Sequence, residues 1–433
     1  MQFARIQGPS TTRVYLLLNN LTFQVFIAAT LGIVLALGYQ LIEPNGIEMV
    51  DNSISLLKGA FLALLKMLIA PMIFFSLIGG IISIGNVVRL RQLGGITVSY
   101  YLLTTGLAIT LALVAVVFVH PWTAYPPIMA SMVDASSARL LEPGSDSILA
   151  VLETMTSLAF TNPFSALVNL NILGIVTNAL FMGVAMVLVL DENSPLFRLV
   201  VDANKIIIQV LRWVIRFLPI GIFAILFDFT VRLSGDDGLG GTFLTQLFQF
   251  GLLVVTMTLI HGLIVLPAIA WITTGMSPLE LLKKIAGPLL VAFSTSSSAA
   301  TLPVSMRAAE DNLDVSPGVA SFVLPLGATM NMDGTALFEA VAAIFLAYLY
   351  GIELSGVMVV TVFLMAMVAS IGAPGMPSAS MSGMQMVMLA IGIPLEAIAI
   401  LLVIERPLDT IRTSVNVEGD LIGSLIVDRY LKR

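Results

Sequence analysis

The sequence predicts an all-α integral membrane protein with eight transmembrane helices and two re-entrant helical hairpins, and three observations carry that prediction. Of its 433 residues, 58% are hydrophobic and 11% charged, against about 25% charged in an ordinary soluble domain. Several apolar runs reach the roughly 20 residues that cross a bilayer as helix, and the alternation expected of outer-membrane barrel strands is missing, so helices must satisfy the backbone in lipid. In the last third, two apolar stretches are interrupted at their centres by small and polar residues.

Apolar runs between polar breaks place spans near 15–40, 55–85, 96–119, 165–190, 203–230 and 242–272. The first has no small-residue cleavage site of the signal-peptide kind and reads as a retained span. Beyond residue 275 the runs break at Ser294–Ser298 and at Ile371–Ser378. Non-helical backbone at membrane depth is tolerated only where protein or a cavity surrounds it, which predicts hairpins over 278–309 and 356–391, followed by longer spans over 317–349 and 394–424. Loop arginines and lysines, including Arg89, Arg91, Lys283, Lys284 and Arg307, gather on the side of the N-terminus, opposite Arg139 and Arg232. That asymmetry predicts cytoplasmic termini, and the short loops suggest a bacterial inner membrane. No cysteine is present, so neither disulfides nor thiolate metal chemistry is available.

The two hairpins echo one another. Ser297 precedes Asn331 by the same interval, 331 − 297 = 34 residues, that separates Gly375 from Asp409, 409 − 375 = 34. Paired interrupted segments in corresponding halves point to a transporter's binding site and to an inverted repeat. Ionisable groups inside spans are costly and usually functional, and they crowd here: Asn331, Asp333, Thr335 and Glu339 in one span, then Glu405, Asp409, Arg412, Thr413, Asn416 and Asp420 in the last. From Asp409 to Asp420 the spacing is i, i+3, i+4, i+7 and i+11, one continuous helix face. Asp409 and Arg412, or Glu405 and Asp409, are also placed to neutralise one another. Carboxylates in excess of Arg412 in low dielectric call for a cation, and carboxylate, amide and carbonyl oxygens suit a hard one.

The motifs Ser294-Thr-Ser-Ser-Ser-Ala-Ala-Thr-Leu-Pro303, Leu326-Gly-Ala-Thr-Met-Asn-Met-Asp-Gly-Thr335, Ala369-Ser-Ile-Gly-Ala-Pro-Gly-Met-Pro377 and Asp409-Thr-Ile-Arg-Thr-Ser-Val-Asn-Val-Glu-Gly-Asp420 resemble those of the glutamate transporter family, the dicarboxylate/amino acid:cation symporters. The resemblance covers nearly the whole chain. It implies an elevator-type, inverted-repeat fold in a homotrimer, with residues 1–275 mainly scaffold and trimerisation region. Spans 3 and 6 would touch a transport core of residues 276–433. It further implies import of L-aspartate or L-glutamate with sodium, and no enzymatic activity, organic cofactor or nucleic-acid partner.

Site residues follow from the resemblance in the same way. Arg412 is similar to the family's reader of the substrate side-chain carboxylate and Asp409 to the acid that holds its ammonium. Thr335, Thr413, Asn416, Ser296, Ser298 and the second-hairpin residues Gly375, Met376 and Pro377 complete the substrate set. For sodium, the resemblance assigns the Gly327 carbonyl, Asn331, Asn416 and Asp420 to one site, Thr329, Met332, Ser370 and Ala373 to a second, and Tyr101, Thr104, Thr105, Asn331 and Asp333 to a third. Neutral-amino-acid carriers of the family lack the arginine. Glu339 matches the animal members' proton carrier, where archaeal members have glutamine. The chain departs from the family at Ser296, Ala299, Glu405 and Thr410, and Arg406 is a candidate to replace a missing arginine.

Alternatives are a proton- or sodium-coupled C4-dicarboxylate symporter, against which Asp409 argues by charge repulsion, and an anion-conducting channel. The serine cluster lacks a base for hydrolase chemistry, and nucleotide-binding and metalloprotease motifs are absent. His120 reads as an interfacial anchor and His261 as a packing residue.

Overall fold

The computed structural model describes residues 21–42, 47–82, 93–119, 122–123, 153, 156–191, 193–234, 239–352, 354–372, 375, 380–394 and 397–432. The described regular structure is helical: α1 Leu21–Ile42, α2 Glu48–Ile82, α3 Gly95–Val119, α4 Pro163–Val168, α5 Ile172–Val189, α6 Pro195–Arg216, α7 Leu218–Ser234 and α8 Leu239–Ile260, followed by a π-turn at His261–Val265. Then come α9 Leu266–Thr274, α10 Pro278–Thr295, α11 Ser298–Asp311, α12 Pro317–Met330, α13 Asp333–Leu349, α14 Gly356–Gly372, α15 Ser380–Ala390 and α16 Ile398–Leu431.

Local chemistry explains the ends. The Asn171 side chain accepts from the Gly174 N–H at 3.1 Å at the start of α5, satisfying a donor that the first turn leaves open. Gly275 closes α9 at φ 76°, ψ −1°, the left-handed conformation that glycine adopts without penalty. Ser277 then caps α10, with Pro278 as its first residue, where a missing N–H costs nothing.

Four described helical stretches are long and apolar enough to cross a membrane, at 23–42, 95–119, 242–274 and 317–349, or five if the bent pair α6–α7 is one span. The predicted continuous fifth span, 203–230, is instead broken by 49° between Arg216 and Leu218. Pro219, lacking an N–H, leaves the Ile215 carbonyl without its helical partner. The final helix runs to Leu431 rather than 424. Arg89, Arg91, Arg139 and His120, and the site candidates Ala373, Met376 and Pro377, lie outside the described residues.

The chain divides into two compact units. One comprises residues 1–68, 208–243 and 399–406. In it α1 packs along α7, a core forms from Ala36, Ile54, Ala224 and Phe227, and Lys58 Nζ meets Asp228 Oδ2 at 2.6 Å. Gly32 permits the helices' close approach, since a Cβ there would lie 2.8 Å from the Phe223 carbonyl oxygen.

The second unit comprises residues 69–207, 244–398 and 407–433. Its centre is α13, buried along nearly all its length and packed on α3, α14 and α15. α10 packs against α11, and α14 against α15. The first hairpin turns at Ser296, in the left-handed region at φ 51°, ψ 34°, and Ser297 caps the outgoing α11. Between α12 and α13 the helix breaks at Asn331 (φ −110°, ψ 79°) and Met332 (φ −113°, ψ 53°). That break frees backbone groups inside the protein, and unpaired ones would be expensive there.

Candidate functional site

The break between α12 and α13 is where the polar residues of the second unit converge. Asn416 on α16 fills it: its Oδ1 accepts the Gly334 N–H at 2.8 Å, and its Nδ2 reaches Met332 Sδ and Thr335 Oγ1, both at 3.3 Å. α16 can come this close because residue 334 is glycine. A Cβ would lie 2.9 Å from the Arg412 carbonyl oxygen.

One turn earlier on α16, Arg412 is 1% exposed. Its Nη2 donates to Asp409 Oδ1 at 3.1 Å and to Ser380 Oγ of the second hairpin at 3.2 Å. Its guanidinium carbon sits 4.0 Å above the centre of the Phe338 ring, a desolvated cation–π contact of the stronger kind. Phe338 meets Phe250 edge-on, and Phe250 stacks on Phe345 with centroids 4.7 Å apart. The guanidinium is thus braced against an aromatic wall. The i, i+3 neutralisation of Asp409 by Arg412 is realised, and the two side chains offer opposite charges side by side.

The hairpin tips touch. The Gly375 carbonyl accepts from Ser297 Oγ at 2.7 Å and from the Ala299 N–H at 2.9 Å. A Cβ on Gly375 would run into the Ala328 carbonyl oxygen, so glycine is what lets the second tip seat there. Ser296, Ser298, Thr335, Asp409, Arg412, Thr413 and Asn416 are all buried in this unit.

The three candidate cation sets differ. In the first, Asn331 Nδ2 donates to Asp420 Oδ1 at 3.0 Å, and the space beside Gly327 is closed by the Asp420 carboxylate and the Tyr101 hydroxyl. The second set is not drawn into one hydrogen-bonded group: the hydroxyls of Thr329 and Ser370 turn back onto Leu326 and Met367 of their own helices. In the third, Thr105 Oγ1 donates to Asp333 Oδ1 at 2.6 Å, and Thr104 Oγ1 lies 3.3 Å from the same oxygen and 3.4 Å from Asn331 Oδ1. Tyr101 instead donates to the Val323 carbonyl at 2.8 Å.

His261 is not a mere packing residue. Its Nε2 lies 3.0 Å from Asp333 Oδ2, with both side chains fully buried. A lone histidine in an apolar run carries no spacing signal in the sequence, although ionisable residues inside spans default to function. Phe338 and Ser380 carry none either, since an aromatic and a serine at such positions look ordinary until the fold sets them against Arg412. Glu339 is fully buried, with neither carboxyl oxygen hydrogen-bonded among the described residues. Gly383 of α15 faces it, where a Cβ would overlap the carboxyl. Among the described residues no three His, Cys, Asp or Glu side chains converge as a transition-metal site would need.

Apolar helices long enough to cross a membrane, with opposed charges buried near a helix break, are the arrangement of a membrane transporter. More narrowly, the chain belongs to the sodium:dicarboxylate symporter family, whose model matches residues 21–430. It is 33% identical over 444 residues to a Caenorhabditis elegans protein provisionally named a sodium-dependent excitatory amino acid transporter, covering 92% of this chain and 88% of that one. It is 32% identical over 461 residues to the rat neutral amino acid transporter B(0), covering 96% and 81%. Against the human neutral amino acid transporter A it is 32% identical over 398 residues, covering 84% and 74%.

Proposed function

We propose that the chain imports an acidic amino acid, L-aspartate or L-glutamate, in symport with sodium, and that Glu339 carries a proton in the same cycle. The observation that carries the substrate class is the buried Arg412 guanidinium beside the Asp409 carboxylate. An α-amino acid with an acidic side chain has a partner for each: a planar, bidentate donor for the carboxylate and an anion for the ammonium. The relatives' names, excitatory and neutral amino acid transporters, support an amino-acid substrate. The arginine favours the acidic branch. Sodium coupling is supported by the family's name and by the oxygen-rich groups around Asn331, Asp333 and Asp420.

The reading includes eight spans and two re-entrant hairpins, a homotrimer, cytoplasmic termini in an inner membrane, and an elevator motion of residues 276–433 against a scaffold formed mainly by residues 1–275. The hairpin contact at Gly375 supports the second hairpin as the gate. A C4-dicarboxylate carrier has no use for Asp409, whose charge would repel a substrate lacking an ammonium.

The test is uptake of radiolabelled L-aspartate into proteoliposomes, with and without an inward sodium gradient, with unlabelled succinate as competitor. Sodium-dependent uptake that succinate does not inhibit is expected. Absence of uptake in sealed vesicles under every gradient, or equal inhibition by succinate, would overturn the substrate assignment.

A further inference from the structure

His261 stands at the entry of the π-turn between α8 and α9, where the Leu266 N–H reaches back to the His261 carbonyl. Pro267 follows directly and brings no N–H, so the helix widens instead of continuing its α ladder. Single-turn π segments concentrate at functional sites. Here the turn also lies close against α16: a Cβ on Gly262 would lie 2.7 Å from Val415 Cγ2, so glycine is what lets span 6 pack onto the last helix.

Within that turn the imidazole faces Asp333. Facing an ionised Asp333, which only accepts, Nε2 is the ring nitrogen that donates across the 3.0 Å contact. The two oxygens of Asp333 are thereby divided between different kinds of donor. Oδ2 takes the N–H of a ring buried in the protein, while Oδ1 takes the Thr105 hydroxyl at 2.6 Å and has the Thr104 hydroxyl 3.3 Å away. A hydroxyl can rotate and offer a lone pair to an incoming cation. An imidazole N–H cannot. Binding sites depend on such supporting bonds to hold ligand carboxylates in place.

We propose that His261 is a positioning residue for cation binding at Asp333, locking Oδ2 so that Oδ1, with Thr104, Thr105 and Asn331, receives the ion. The proposal rests on the sodium-coupled reading above and adds to it a residue outside the oxygen set. Its signature is geometric. Glutamine places an amide N–H at about the reach of Nε2, whereas asparagine falls short.

The experiment uses the full chain in detergent and follows its thermal unfolding as sodium chloride replaces choline chloride, with no amino acid present. The wild type and H261Q are expected to respond at similar sodium concentrations, and H261N to need about tenfold more, the loss of one hydrogen bond to a charged group. In proteoliposomes H261N should raise the sodium KM by a similar factor and leave the aspartate KM at saturating sodium within about threefold. If H261N titrates like the wild type, or if H261Q and H261N shift equally, the proposal is overturned. Wild-type stability indifferent to sodium would remove the sodium reading together with the proposal, whereas a wild-type response that H261N preserves would remove the proposal alone.

Discussion

Replacing Arg412 by glutamine tests the substrate reading most directly. The wild-type guanidinium is 1% exposed and held by Asp409, Ser380 and Phe338, so its position is fixed by the fold. Hydrogen bonds to charged groups contribute about 1.5–3 kcal/mol each, and a bidentate pair therefore about 3–6 kcal/mol. At about 1.4 kcal/mol per tenfold, R412Q should weaken aspartate by roughly 10²- to 10⁴-fold. The substitution also removes the Arg412 charge from beside Asp409, and breaking a buried pair costs up to about 3–5 kcal/mol. An amino-acid ammonium can restore that charge. R412Q should therefore be less stable than wild type when empty, be stabilised by neutral amino acids such as serine, and transport them with sodium. The assays are thermal unfolding with each amino acid and uptake of labelled aspartate and serine in parallel. An R412Q protein whose aspartate KM stays within about threefold of wild type would refute the role of the guanidinium.

E339Q should abolish the dependence of uptake on external pH while sodium-driven transport persists. The amide fills the carboxyl's place beside Gly383 but takes up no proton, and proton co-transport undiminished in E339Q would sink the carrier assignment. Asp428 lies at the end of α16, beyond the predicted span. Burial works against its charge, but the bonds from Lys432 Nζ at 2.6 Å and from the Ser316 hydroxyl and N–H outweigh it and hold its carboxyl below the usual range. A depressed folded value means stabilisation that is present above the unfolded pKa and lost as pH falls through the folded one. D428N should thus cost on the order of 1 kcal/mol at neutral pH and nothing in strong acid, measured as unfolding against pH; an equal cost at both would contradict the ionic account.

What the sequence made legible was whatever a helix cannot hide. Ser294–Ser298 and the glycine–proline run around Gly375 interrupt apolar stretches, and at the first of them the chain turns at Ser296 between α10 and α11. The i, i+3, i+4 spacing from Asp409 to Asp420 survives as one buried face because a single continuous helix carries it. Contacts that depend on how separate helices meet were not legible. The bend before Leu218 comes from an ordinary-looking Pro219 in a run that reads as continuous. His261, Phe338 and Ser380 acquire meaning only when the π-turn after α8 is brought beside Asp333, and α13 and α15 beside Arg412.

The arrangement gives coupling between substrate and ion a physical route. Asn416 holds the Gly334 N–H and touches both Thr335, in the proposed substrate set, and Met332, in a proposed cation set. One turn further along α16, Asp420 takes the Asn331 amide, and the Asn331 carbonyl oxygen in turn faces Thr104 of α3 beside Asp333. A ligand that reorients Asn331 or Asn416 therefore acts on the break between α12 and α13 that every proposed site shares. Such coupling must be reciprocal: if sodium tightens substrate binding by some factor, substrate tightens sodium by the same factor. A shared break with few spare hydrogen bonds also explains why Gly334 and Gly419 sit where α13 and α16 meet. At either, a Cβ would push directly on the Arg412 backbone or the Asn331 amide, moving one site at the expense of the other.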